Sequence, residues 1–74
     1  MLVHVFQSKE TGRYLATNLN GSIETASKPE HGIYWKVDDK KQEMYFRKFI
    51  RTNKKKIEHF RLMHVITQFE EVSI

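Results

Sequence analysis

A chain of 74 residues accommodates one domain, residues 1–74, and no second. Folding at this size hides only about 60% of the unfolded surface, so stability is narrow and a large enclosed substrate cavity is not expected. Thirteen Lys and Arg against nine Asp and Glu give a net charge of +4, a balance that attracts nucleic acid or an acidic protein face. With no cysteine, disulfides and thiolate metal sites are ruled out, and the composition fits a reducing cytoplasm. The opening MLVHVF is too short, and too broken by His4, to serve as a signal peptide or membrane span. No membrane partner is expected.

Residues 2–7 alternate as a strand, with Leu2, His4 and Phe6 on one face and Val3, Val5 and Gln7 on the other. Ser8 to Gly12 is a turn, and Arg13 to Thr17 a second strand. Asn18-Leu19-Asn20-Gly21 contains an Asn-Gly hairpin signal, after which Ser22 to Ala26 returns as a third strand. Pro29 and Gly32 mark a loop. Ile33 to Val37 is the fourth strand, and Trp35 is the expected anchor of the core. The N-terminal half thus predicts an antiparallel meander of about four strands over residues 2–37.

After Val37 two readings compete. Asp39 followed by Gln42 suits a capping box, and Tyr45, Phe46, Phe49 and Ile50 then fall on one apolar stripe of a helix over about 39–52. The alternative is a strand from Glu43 to Ile50, giving an all-β barrel or meander, but neither face of that strand would be cleanly apolar. The helix is the preferred reading. From about 58 to 67, Phe60, Leu62, His64 and Ile66 alternate with Arg61, Met63, Val65 and Thr67, which predicts a C-terminal strand. Leu62, Val65, Ile66 and Phe69 also fit a helical stripe. The expected fold class is α+β.

Charge is concentrated in one stretch. Residues 40–61 hold nine of the thirteen Lys and Arg, opposed only by Glu43 and Glu58, for +7, while residues 1–39 sum to −1 and 62–74 to −2. Lys and Arg along one helix face can reach successive phosphates and release their counterions. The candidate nucleic-acid-binding residues are therefore Lys41, Arg47, Lys48, Arg51, Lys54, Lys55, Lys56 and Arg61. Arg47 and Arg51, one turn apart, suit forked contacts to phosphate or a base edge. The plain alternative is a solvated face that keeps a small protein in solution. Tyr45, Phe46 and Phe49 could stack on bases from an exposed strand, but a domain this small needs most of its aromatics inside.

Catalysis finds little support. His59 and His64, five apart, do not share a strand face or a helix register, and no zinc motif, Ser/His/Asp arrangement or phosphate loop occurs. His31 beside Glu30, or His59 beside Glu58, would be the acid/base pairs of a nuclease-like reaction. Neither a cofactor nor a metal is expected. The segment ETGRYLATNLNGSI resembles one hairpin of many β-rich families. In size and crowded functional surface the chain resembles small virus-encoded accessory proteins. The expected function is a non-enzymatic module binding RNA or DNA mainly through phosphates. The alternative is an inhibitor or regulator that docks the same basic face on an acidic or nucleic-acid-binding protein. Pairing at an exposed sheet edge offers a route to a homodimer.

Overall fold

A computed structural model describes residues 1–66. It has the α+β architecture expected, an open antiparallel sheet with one helix packed on it. Strands β1 (Leu2–Ser8), β2 (Tyr14–Thr17), β3 (Ile23–Ala26) and β4 (Trp35–Lys36) precede helix α1 (Lys40–Thr52), and β5 (Phe60–Ile66) follows it. The sheet does not close into the all-β barrel considered as the alternative. Thr67, at the expected end of the last strand, and Phe69, of the competing helical stripe, lie outside the described residues.

The centre of the sheet is β1. Along one edge it pairs with β5 over seven residues, from Leu2↔Ile66 to Ser8↔Phe60. Its other edge is shared, by β2 at Gln7↔Tyr14 and by β4 at Val3↔Lys36 and His4↔Trp35. Strands β1, β2 and β3 follow one another as hairpins, and β4 then returns to β1. The loop between β3 and β4 makes that return. Pro29 opens a short 3-10 turn, and the Ile33 amide donates to the Leu15 carbonyl at 2.8 Å. Gly32 permits the approach, because a Cβ there would stand 2.5 Å from the Leu15 carbonyl oxygen.

The expected hairpin from 13 to 26 forms, with four residue pairs from Tyr14↔Ala26 to Thr17↔Ile23. Its turn is wider than a two-residue Asn-Gly loop. Only Gly21 takes positive φ, at 78°, and the Asn18 side-chain oxygen accepts from the amides of Asn20 and Ser22 at 2.9 Å each. An Asn side chain bonded to backbone two residues on substitutes for a tighter backbone turn.

Alternation along β1 divides the core. His4 and Phe6 point to the helix, while Val3 and Val5 point away, and all four are buried. Phe6, Leu15, Trp35 and Phe46 make the central cluster, with Phe49, Ile50, Ile57 and Phe60 packed around it. Trp35 is the anchor expected, its ring 5.3 Å from Phe46, 5.0 Å from Phe49 and edge-on to Phe6 at 6.0 Å. Offset and edge-to-face rings of this kind add stability beyond simple burial.

Helix α1 starts at Asp39, whose carboxylate accepts from the Gln42 amide at 3.1 Å. Only half of the expected capping box forms. Gln42 turns its side-chain oxygen to the Lys36 amide at 3.4 Å, tying the helix start to β4. Removing an Asp cap costs about 1 kcal/mol, or about 4–8 °C in melting temperature for a domain this small. Asp39→Ala is expected to lower the thermal midpoint by that amount; an unchanged midpoint would show that the cap contributes nothing.

Candidate nucleic-acid interface

The inward stripe of α1 is narrower than expected. Phe46 is buried and Phe49 and Ile50 are partly so, but Tyr45 is exposed. Successive helix residues lie about 100° apart, so Phe46, facing Phe6 and Trp35, turns Tyr45 to the flank. The remaining surface carries Lys40, Lys41, Met44, Arg47, Lys48, Arg51 and Thr52, all exposed. Along about 20 Å of axis this face matches the rise of about six phosphates on one strand.

Seven of the eight candidate residues belong to the helix or the turn that continues it. Lys41, Lys48 and Arg51 stand on the outward surface of α1, and Arg47 shares one flank with Arg51. Lys54, Lys55 and Lys56 are exposed in the turn beyond Thr52. Asn53 closes the helix by donating its backbone amide and its side-chain amide to the Phe49 carbonyl, each at 3.0 Å. Cations placed there suit the negative end of the helix dipole. Arg61 stands apart: it pairs with Gln7, on the sheet face opposite to that of His4 and Phe6, and so points away from α1.

Most of these charges are not neutralised by the described residues. Arg47 meets Glu43 at 3.6 Å. Among the described residues, Lys41, Lys48, Arg51, Lys54, Lys55, Lys56 and Arg61 have no carboxylate within 4.0 Å. Three carboxylates, of Asp38, Asp39 and Glu43, stand instead at the helix start, around an open cavity of about 440 Å³ lined also by Val37, Lys40, Met44 and Arg47. The helix therefore has a mixed N-terminal end and a cationic C-terminal one.

A cluster that the sequence reading missed joins the sheet to this helix. His4 Nε2 lies 3.0 Å from Glu43 Oε2, and a carboxylate accepts, so that nitrogen carries the proton. The imidazole stacks on Phe46 with centroids 4.1 Å apart and planes 2° from parallel, and meets His64 edge-on at 4.6 Å. Its Nδ1 is buried without a partner among the described residues. Because the second oxygen of Glu43 faces Arg47, the contacts run from β1 through Glu43 to the basic flank. The one sequence signal was a polar residue at an inward position of an otherwise apolar strand.

The other histidines are placed simply. His59 and Glu58, adjacent in sequence, meet at 3.4 Å on an exposed turn. His31 is exposed at the end of the 3-10 turn. Among the described residues no three His, Asp or Glu side chains come together as a metal site. No helix of the described residues is long and apolar enough to cross a membrane. No protein-family model matches the chain, and comparisons with curated proteins and with solved structures reveal no significant similarity.

Proposed function

We propose that this protein is a non-enzymatic nucleic-acid-binding module. It grips phosphates with Lys41, Lys48, Arg51 and the Lys54–Lys56 turn, with Arg47 at the flank. The supporting observation is that these cations stand exposed on one helix and its following turn, and that all but Arg47 lack a carboxylate neighbour among the described residues. Cations without a carboxylate neighbour are free to displace counterions from a polyanion. Arg61, on the other side of the sheet, adds only to the long-range field.

Each phosphate contact contributes about −0.7 to −0.9 to the slope of log affinity against log salt. In the triple variant Lys48→Gln, Arg51→Gln, Lys55→Gln, the slope for a labelled oligonucleotide is expected to shrink by about 2 to 3. Fluorescence anisotropy at four or more salt concentrations measures it. A triple variant with the parent's slope would place the contacts elsewhere.

A second reading draws on Met44 and Tyr45, 70% and 60% exposed beside these cations. Tyr, Met and Arg are enriched at protein interfaces, which suits a regulator docking on an acidic partner. Capture from lysate before and after nuclease treatment separates the two, since a protein partner survives digestion.

A further inference from the structure

We propose that Tyr45 is a base-stacking platform and that the nucleic acid bound is single-stranded. The inference rests on the nucleic-acid reading above and names its substrate class. Tyr45 is the only exposed aromatic residue among the described ones, the other seven being buried or partly buried. Among the described residues it has no hydrogen bond or ring contact. A lone exposed tyrosine is ordinary. Its surroundings give this one meaning.

Residues three and four apart on a helix are neighbours, so Lys41 lies one turn before Tyr45 and Lys48 one turn after it. Both are exposed, with no carboxylate within 4.0 Å among the described residues. An aromatic ring between two free cations combines a surface for a base with partners for the phosphates on either side. That combination defines sequence-tolerant single-strand binding. A duplex offers the ring nothing comparable, because its base faces are already stacked and a step must be unstacked to expose one. The Tyr hydroxyl plays no part in stacking, so phenylalanine should replace it.

The test compares the parent, Tyr45→Ala and Tyr45→Phe on a labelled single strand of about 12 nucleotides and on the matching duplex, at several salt concentrations. Tyr45→Ala is expected to weaken single-strand binding by about 5- to 150-fold, the range for loss of one stacked base, without altering the salt slope. Tyr45→Phe should keep the parent's affinity, and duplex binding should change less than twofold in either variant. Thermal melts confirm that the variants fold, as the exposed position leads one to expect.

Parent-like single-strand binding by Tyr45→Ala, or an equal loss on the duplex, overturns the stacking role while leaving phosphate binding intact. Failure of the parent itself to bind either nucleic acid at low salt ends both readings. Loss of a nuclease-resistant protein partner in Tyr45→Ala, with oligonucleotide binding unchanged, overturns the inference in favour of protein docking.

Discussion

Raising salt from 50 to 200 mM is expected to weaken oligonucleotide binding on the order of a thousandfold. Six cations make the contacts: Lys41, Lys48, Arg51, Lys54, Lys55 and Lys56. Each is exposed and without a carboxylate partner among the described residues, so each can release a condensed counterion on meeting a phosphate. Arg47 is left out because Glu43 already holds it at 3.6 Å. Six contacts give a log–log slope of about −4 to −5. Anisotropy titrations across that salt range measure it directly, and a flat profile would remove phosphate contact as the source of affinity. A slope steeper than about −6 would bring Arg47 or Lys40 into the contact set.

Phe46→Ala is expected to abolish cooperative folding near room temperature. Phe46 is 5% exposed and lies where four rings converge: it stacks on His4 at 4.1 Å and reaches Trp35 at 5.3 Å and Phe6 at 6.0 Å. Truncating a buried Phe costs about 3–5 kcal/mol, while the core of a domain this small rarely supplies more than about that much. The same change at Tyr45, one residue away, should move stability by less than about 0.5 kcal/mol. Circular dichroism melts and urea titrations of the two variants give the comparison. A Phe46→Ala protein with the parent's transition would mean that the ring cluster is not what holds α1 to the sheet.

Much of this layout was legible beforehand. Gly and Asn turns divided the first three strands, and Pro29 and Gly32 marked the next loop. The apolar period after Asp39, with the cap it implies, indicated α1. These signals are local: each depends on backbone preferences within a few residues. Trp35, flanked by apolar neighbours at strand spacing, was recognisable as the core's anchor for the same reason. The crowding of positive charge into residues 40–61 was visible as plain composition.

The relation of His4 to Glu43 was not legible, because 39 residues separate the two and no period links a strand residue to a helix residue. Nor was the split between Tyr45 and Phe46. The pairs 45/49 and 46/50 satisfy a helical stripe equally well, and only the positions of Phe6 and Trp35 rotate α1 so that Phe46 goes in. Arg61 counted as part of the basic stretch by proximity along the chain, yet its register with Gln7 turns it from the helix.

By itself, the order of residues determined where the chain turns, which segment is helical and where its cations accumulate, since all of these follow from neighbours within a turn or a pleat. Tertiary structure alone decided that β4 comes back to β1, that His4 meets Glu43, and that Tyr45 rather than Phe46 faces solvent. Those outcomes are set by strand register and helix rotation, and both are fixed only when distant parts of the chain compete for the same core.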